Sequence, residues 1–551
     1  MVKMIRKSGQ LSKKWLPAIL LLAIFLVYPV ASVIADGLVY GPGSSFTETL
    51  ASSVTQRVLG FTFAQAALST LLVIGIGLPG AFMMARLRMR GKSILRATLI
   101  VPFVLPPIVV VVGFLRVFGS FGLLDTLAMY LLGTTESVLN LATEVVGIVL
   151  AHTFYNIPLV IVMVSSALER LNPELEESAE ALGATSFQKF RHIILPHIRG
   201  ALLAASILTF LFCFMSFPIV LALGEGRYMT LEVRIWYAFR SFDFGEASSL
   251  AAIQIATTLA LAYSYVRLGR VEDTDSGKTA AIRTYGLDEI GMGYKVLVLA
   301  YMAVIGTLIF GPILAIIQAA IYDPFGGSYT LAGFANLLES GTGGGLVPLV
   351  NSLLYATLAT LLAVLLGIPL AYAHRSRRSG IPTLASAMTL LPLGVSAITV
   401  AYGLMRMIAV PLRLTTNPWL LIVIAQTIIG LPFSARAIEI SLRGIDPEII
   451  EQADSLGASR FQRLFFVEFP LLAPGILAGG VFAFAMAIGE MSATLFIALE
   501  QNTTLAVVIY QYLGVRKFVE AGAAAIVLVA ICFGAFILIE KLSGEMSGGA
   551  L

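Results

Sequence analysis

Few residues in this chain are placed where they could carry out chemistry. The segment most similar to a nucleotide-binding loop is Ser276-Gly277-Lys278-Thr279. A phosphate loop needs a glycine five residues before its second glycine, and it follows a strand and opens a helix. Here that position holds Glu272, and an apolar stretch of membrane-spanning length precedes the segment. We therefore predict that this chain does not itself hydrolyse ATP.

Metal-binding residue types are also sparse. The four histidines have no metal-ligand spacing, and Cys213 and Cys532 lie far apart in separate apolar runs. Isolated cysteines in such surroundings are typical of small buried hydrophobic side chains. We predict no catalytic residue, no metal site and no cofactor bound by this chain.

The passage of a polar solute would instead need polar groups within apolar segments. Glu490 is the clearest ionisable residue within one, and Ser216 is its mate in the internal repeat described below. A charge at membrane depth costs at least ~2.5 kcal/mol on insertion scales, so Glu490 should face a water-filled interior or a partner. The structural alternative is an ion pair with a base such as Arg406 or Arg413.

Two further features are candidates for lining a pathway. His152 and Gln426 are also repeat mates inside apolar segments, and they could equally be interhelical hydrogen-bond partners. Backbone carbonyls freed by proline are tolerated at membrane depth mainly where they are packed or line a cavity. Two apolar segments are interrupted in this way, by Pro102, Pro106, Pro107 and Pro392.

The elements that hold these residues are predicted from composition. Hydrophobic residues make up 58% of the 551 and charged residues 12%, and the mean hydropathy is +0.91. A soluble domain has about 25% charged residues, so most of this surface must face lipid. A net charge of +4 is too small to indicate a nucleic-acid partner.

Twelve apolar segments have bilayer-spanning length, which takes about 20 residues. The first is too long for a secretory signal, and no small-residue cleavage site follows it. The fold class is therefore all-α integral membrane, with spans predicted near 15–36, 61–84, 97–116, 144–167, 200–222, 247–266, 295–321, 348–373, 382–409, 418–440, 472–498 and 521–540.

Basic residues predict the orientation of these spans. If the N-terminus is cytoplasmic, 27 of the 36 lysines and arginines fall on the cytoplasmic side. Because basic loops stay in the cytoplasm, we predict a multi-pass protein of the cell membrane with both termini cytoplasmic.

The chain is also internally duplicated. Residues 172–196 and 446–470 are identical at ten of 25 positions, at an offset of 274. Upstream the offset is 290, which indicates an insertion at roughly 117–143. The repeat predicts a first half at 1–268, a cytoplasmic linker at 269–293 and a second half at 294–551.

Each repeated segment predicts a helical hairpin. Asn172 and Asp446 are each followed by proline and glutamate, the pattern of an N-cap, a first-turn proline and a dipole-compensating acid. Gly183 and Gly457 can end the first helix and turn the chain into a second, which presents Phe187 or Phe461.

These hairpins resemble the EAA loop of type I ABC importer permeases. The first loop, at 169–200, carries Glu177-Ser178-Ala179, Gly183, Ile193, Leu195 and Pro196. The second, at 442–474, carries Glu451-Gln452-Ala453, Gly457, Val467 and Pro470, and departs from the pattern at Gln452 and Phe469. The resemblance runs from about 60 to 540.

The resemblance implies a fold of two six-helix halves and a set of partners. A coupling helix in each loop would seat in one of two cytoplasmic ATPase subunits, which would use ATP and Mg, and an extracytoplasmic binding protein would deliver the solute. The residues implied to couple are Glu177, Ala179, Gly183 and Phe187 in the first loop, and Glu451, Ala453, Gly457 and Phe461 in the second.

Two other classes remain as alternatives. A twelve-helix secondary transporter would carry an acidic-basic glycine motif after its second span, but ARLRMRGKS at 85–93 has no acid. An embedded enzyme would need a histidine-rich or paired-carboxylate helix, which we do not find.

The sequence favours ferric iron slightly over thiamine as the solute. SFPIVLALGEG at 216–226 and the segment from residue 230 onward resemble thiamine permeases, whereas GEMSATLFI at 489–497 and TLAVVIYQYLG at 504–514 resemble ferric permeases.

Overall fold

The protein is described here by a computed structural model. It describes residues 15–40, 46–88, 92, 95–96, 99, 102, 105–269, 284–286, 288–323, 327–339, 344–374 and 380–548. The predicted linker lies mostly outside these residues, as does the Ser276–Thr279 segment.

Within the described residues, 11 helices are long and apolar enough to cross a membrane. They are Leu16–Leu38, Ser53–Arg86, Pro107–Leu132, Glu144–Leu168, Ser186–Phe214, Phe244–Tyr265, Met292–Ile321, Leu346–His374, Trp419–Gly444, Phe461–Ile488 and Phe518–Ile537. Ile381–Gly394 and Ala397–Ala409 form a further pair bent by 101°, which gives 12 spans if the pair is counted as one.

Shorter elements connect the long helices. The shorter helices are Phe46–Ala51, Pro173–Ala181, Pro218–Leu223, Leu231–Arg240, Ala332–Asn336, Pro447–Ser455, Ser492–Ile497 and Leu505–Gly514. Leu87–Arg88 pairs in parallel with Tyr285–Gly286, and Tyr322–Asp323 pairs antiparallel with Ser328–Tyr329. The all-α fold of about twelve spans is therefore confirmed.

Four predicted spans are not continuous helices within the described residues. In the segment predicted at 97–116, Leu105 and Pro106 are not helical, and the helix Pro107–Phe118 begins directly after them. The segment predicted at 382–409 bends beside Pro392, which lies in a 3₁₀ turn between the two helical parts. The segments predicted at 200–222 and 472–498 each stop after the helices Leu195–Phe214 and Phe469–Ile488, and each resumes as a six-residue helix. Mean hydropathy does not register these breaks, because the residues around them stay apolar.

The chain divides into two compact units whose boundaries differ from those of the repeat. One unit contains residues 1–49, 235–255 and 320–551, and the other contains 50–234 and 256–319. Each unit thus holds the body of one half together with the first span of the other. The two halves predicted from the duplication, 1–268 and 294–551, stay a prediction.

The core of the unit that contains 50–234 forms where the helices Ser53–Arg86 and Glu144–Leu168 cross. A Cβ atom added at Gly77 would lie 3.0 Å from the Val160 side chain, so this crossing is close because the residue is small. Buried Val73, Ile157 and Val164 surround it with other apolar residues.

The unit that contains 320–551 repeats this packing. A Cβ atom added at Gly367, the repeat mate of Gly77, would lie 3.2 Å from the Ser434 hydroxyl oxygen, where the helices Leu346–His374 and Trp419–Gly444 cross. The N-terminal span packs into this unit through Leu22, and its C-terminal end is held by an ion pair of 2.5 Å between Asp36 and Arg406. Arg406, named above as a possible partner of Glu490, therefore pairs with Asp36 instead.

Candidate functional site

The first hairpin has the local structure that its sequence predicts. The Asn172 side chain accepts a hydrogen bond of 3.0 Å from the backbone N–H of Glu174 and caps the helix Pro173–Ala181. Gly183 has φ +80°, the left-handed conformation that glycine adopts without steric cost. The N–H of Ala184 donates to the Ala179 carbonyl at 2.9 Å, which completes a Schellman turn.

The second hairpin repeats each of these contacts. The Asp446 side chain caps the helix Pro447–Ser455, and Gly457 has φ +85°. The N–H of Ala458 donates to the Ala453 carbonyl at 3.1 Å. Ala179 and Ala453 thus supply the carbonyls that close the two turns, and the predicted helix–glycine–helix geometry is confirmed in both halves.

A capping box starts the second helix of each hairpin. Thr185 and Gln188 bond each other's backbone N–H groups at 2.8 and 3.3 Å, and Ser459 and Gln462 do so at 2.9 and 3.3 Å. Because backbone hydrogen bonds close the first side of the turn and side chains cap the second, each hairpin has a defined shape at its tip.

Large apolar side chains project from these tips. Phe187 and Phe461 are each 68% exposed, and Leu182 and Leu456 are each 88% exposed. Exposed apolar clusters on a charged surface mark interaction sites. The two leucines were not among the predicted site residues, although their repetition directly before the glycine could have revealed them.

The repeated glutamates are also available to a partner. Glu177 and Glu451 lie on the exposed side of their helices. Within the described part of the chain, neither carboxylate has an ion-pair or hydrogen-bond partner. Each tip therefore presents an unpaired carboxylate close to an exposed leucine and an exposed phenylalanine.

An ion pair closes each hairpin on itself. Lys189 contacts Glu180 at 2.5 Å, and Arg463 contacts Asp454 at 2.9 Å. These four residues are repeat mates, and the opposite charges nine residues apart in both copies are the sequence signal of this contact.

Glu490 occupies the break after the helix Phe469–Ile488, rather than a position inside a continuous helix. Its carboxylate accepts hydrogen bonds of 2.7 and 2.9 Å from the backbone N–H groups of Ala493 and Thr494, and one of 2.9 Å from the Thr494 hydroxyl. Only 7% of Glu490 is exposed. In the described residues its carboxylate contacts a helix start and no cation.

Ser216 lies in the equivalent break of the first half, between Phe214 and Pro218. It is also buried, and its backbone carbonyl accepts a hydrogen bond of 3.1 Å from the Thr230 hydroxyl. The two breaks have the same position in the repeat, but only one brings a carboxylate.

His152 and Gln426 are buried inside their helices. His152 Nδ1 lies 3.3 Å from the Ser69 hydroxyl, a contact between the helices Glu144–Leu168 and Ser53–Arg86. The Nε2 atom of His152 and the Oε1 atom of Gln426 have no hydrogen-bond partner among the described residues. Each side chain therefore has one buried polar atom that the described residues leave without a hydrogen-bond partner.

A cleft of about 830 Å³ lies in the unit that contains 320–551. Polar and apolar side chains from well-separated segments line it, including Arg240, Thr416, Glu500, Gln511 and Tyr512. Ten of its fifteen lining residues lie within 495–512, and Arg240, Gly344, Val347, Pro348 and Thr416 complete the wall, so the cleft forms only where these distant segments meet.

Both hairpins lie within regions that match a known family. Residues 77–273 and 359–543 match the binding-protein-dependent transport system inner membrane component. The thiamine transport system permease protein ThiP of Escherichia coli (strain K12) is 27% identical over 514 residues, covering 92% of this chain and 92% of the relative. The ferric transport system permease protein FbpB of Actinobacillus pleuropneumoniae is 27% identical over 551 residues, covering 96% of this chain and 78% of the relative.

A solved structure is also similar at lower identity. It is a bacterial ABC transporter involved in the import of the acidic polysaccharide alginate, with 17% identity and a TM-score of 0.41 over 50% of this chain and 99% of that chain. The family assignment depends on the two matched regions, which together cover more than half of the sequence. With two family domains, two capped hairpins and membrane-length helices throughout, this chain belongs to the binding-protein-dependent transport system inner membrane components, the multi-pass permease subunits of type I ABC importers.

Proposed function

We propose that this chain forms the translocation pathway of an importer that is driven by two cytoplasmic ATPase subunits, one on each hairpin. The observation that carries this proposal is the repeated tip surface, with Leu182 and Leu456 each 88% exposed. An isolated membrane protein gains nothing by keeping such side chains in water, whereas an apolar groove on a partner would bury them. ATP and Mg would be bound by the partner.

The hairpins suit the transmission of movement. Their caps, turns and internal ion pairs give each tip a fixed shape, so force from a bound ATPase reaches the connected spans with little loss to bending. An extracytoplasmic binding protein would deliver the solute. The solute would then pass the two helix breaks, which contain Glu490 and Ser216, and the buried polar side chains of His152 and Gln426.

We propose thiamine as the solute. The thiamine permeases of Escherichia coli and Salmonella typhimurium are covered over 92% and 97% of their length, whereas the ferric permeases of Actinobacillus pleuropneumoniae and Haemophilus influenzae are covered over 78% and 76%. Ferric iron is the second candidate, because the second-half segments at 489–497 and 504–514 favour it. The buried carboxylate of Glu490 suits either cation.

Uptake in a defined system tests the proposal. The chain is purified with the ATPase encoded beside its gene, placed in proteoliposomes and supplied with the neighbouring binding protein. We expect the ATPase to co-purify and labelled thiamine to enter only with ATP and Mg. Entry of labelled ferric iron instead would establish the second candidate. Uptake that follows a proton or sodium gradient without ATP would overturn the importer and support a secondary transporter.

Orientation is tested by cysteine labelling in intact cells. Cys213 and Cys532 are buried and free, so a membrane-impermeant thiol reagent should label the native chain weakly. With both termini cytoplasmic, a cysteine at Asp275 should resist the reagent and one at Gly327 should react. Lysed cells, in which both positions should react, provide the control. The opposite pattern in intact cells would reverse the topology and remove the hairpins from the cytoplasm.

A further inference from the structure

The first hairpin is tied to the second span by a two-pronged ion pair. Arg86 ends the helix Ser53–Arg86, and Glu176 lies in the first turn of the helix Pro173–Ala181. The two guanidinium nitrogens Nη1 and Nη2 donate to the two carboxylate oxygens at 2.7 and 2.5 Å. A bidentate pair holds orientation as well as distance, because both planar groups must stay aligned.

This ion pair is largely withdrawn from solvent. The Arg86 and Glu176 side chains are 15% and 13% exposed. Glu177, the next residue, points into solvent, so the helix presents one carboxylate to the second span and the other to a partner. Removing one member of a buried pair leaves the other charge uncompensated, which makes this contact hard to replace with water.

The second half cannot form the same contact. The repeat mate of Glu176 is Ile450, and the mate of Arg86 is Ser376, which lies outside the described residues. Ile450 packs on an apolar cluster that includes Ala371 and Ile438, together with Tyr372 at the end of the equivalent span. The same connection is thus ionic in the first half and apolar in the second.

At the C-terminal end of the hairpin the two halves differ in the opposite sense, because here the second half has the polar contact. In the second half Glu468 is buried and accepts hydrogen bonds from the Tyr372 hydroxyl and, at 2.8 Å, from Arg463 Nε. Arg463 also holds Asp454, so a polar chain runs from the hairpin helix to the second span of that half.

The first-half mates of Tyr372 and Glu468 are Phe82 and Ile194. Both are partly buried and pack against the apolar core of their unit, and the Phe82 ring lies 6.1 Å from that of Phe190. Each hairpin therefore has one polar and one apolar connection to its second span, at opposite ends in the two halves.

We propose that Arg86 and Glu176 are positioning residues that transmit the movement of the first hairpin to the second span, and that Glu468 with Arg463 does this work in the second half. The inference rests on the proposed function, because it assigns the route by which ATPase movement enters the membrane. It follows that the two halves depend on charge at different positions, although their hairpin tips are alike.

The experiment uses the complete chain, purified with its ATPase, in proteoliposomes with the binding protein and labelled thiamine. Glu176→Gln keeps the shape and removes the charge. We expect the ATPase to stay bound and basal ATP hydrolysis to persist, while solute taken up per ATP falls by about tenfold. The exchange variant Arg86→Glu/Glu176→Arg should regain most of this loss, a rescue that a purely structural role for either residue alone would not produce. Glu174→Gln, an exposed carboxylate on the same helix, is the matched control and should behave like the native chain.

The outcomes separate this inference from the function on which it rests. Native uptake per ATP in Glu176→Gln, with the ATPase bound, would overturn the positioning role alone. If Glu176→Gln does not insert, the exchange variant decides: recovery of coupled uptake supports the pair, and an inserted but uncoupled protein overturns it. A native chain that binds no ATPase and shows no ATP-dependent uptake would overturn the proposed function and this inference together.

Discussion

Valine at Gly457 should uncouple the transporter, with ATP-dependent uptake falling by at least about tenfold while the protein still inserts. The backbone at Gly457 has φ +85°, and no atom beyond the glycine and its two chain neighbours lies within 4 Å of the position where a Cβ would stand. The substitution therefore meets no clash, and its effect comes from the backbone alone. A β-branched residue strongly disfavours this conformation, because the left-handed region costs an ordinary residue roughly 1–2 kcal/mol.

The hairpin should respond by changing its turn. The Schellman contacts at Gly457 aim the tip that carries Leu456 and Phe461, so a different turn would point these side chains away from the partner. The measurement compares binding-protein-stimulated with basal ATP hydrolysis, alongside uptake, in proteoliposomes. We expect loss of the stimulation, and a similar loss for Gly183→Val, although the two hairpins need not contribute equally.

Two variants serve as controls. Gly444→Val places the same side chain at an exposed glycine with ordinary φ and no neighbour within 4 Å, so uptake should stay near the native level. Gly457→Asn should retain more uptake than Gly457→Val, because asparagine tolerates the left-handed region. Normal stimulated hydrolysis in an inserted Gly457→Val protein would contradict the coupling role of the turn.

Replacing Glu490 with glutamine should lower uptake by about tenfold, while assembly with the ATPase and basal hydrolysis persist. The carboxylate is buried beside a helix break, and the described residues offer it hydrogen-bond donors but no cation. The electric field of this charge is strong because the surrounding wall is apolar and has a low dielectric constant. A positively charged solute would be stabilised at this break, and Glu490→Gln removes that attraction.

The structure also sharpens the competing explanation. Arg406 contacts Asp36, so a structural role for Glu490 would act through the short helix Ser492–Ile497 that it caps. In that case Glu490→Gln, whose amide offers one acceptor oxygen in place of two, should impair assembly. Glu490→Asp keeps the charge on a shorter side chain and should retain more uptake than Glu490→Gln if charge is what matters. Unchanged uptake by Glu490→Gln at normal expression would discard the pathway role.

The hairpins were predictable from sequence because their structure is local. An N-cap, a first-turn proline and a glycine at the turn act over a few residues, and the structure forms each of them at Asn172, Asp446, Gly183 and Gly457. The number of spans was predictable for a similar reason, since bilayer thickness requires long apolar runs whatever their neighbours are. The duplication then indicated that both hairpins serve one purpose.

Only the tertiary structure decided where the apolar runs break and what each hairpin contacts. Glu490 appeared to belong to a long span because hydropathy averages over the three residues that interrupt it. The Arg86–Glu176 pair joins residues 90 positions apart, and no local rule distinguishes Glu176 from the exposed Glu177. The first span of each half belongs to the compact unit that holds the body of the other half. The sequence does not predict this, because a lipid-facing helix is apolar all round and its composition does not say which core it packs against.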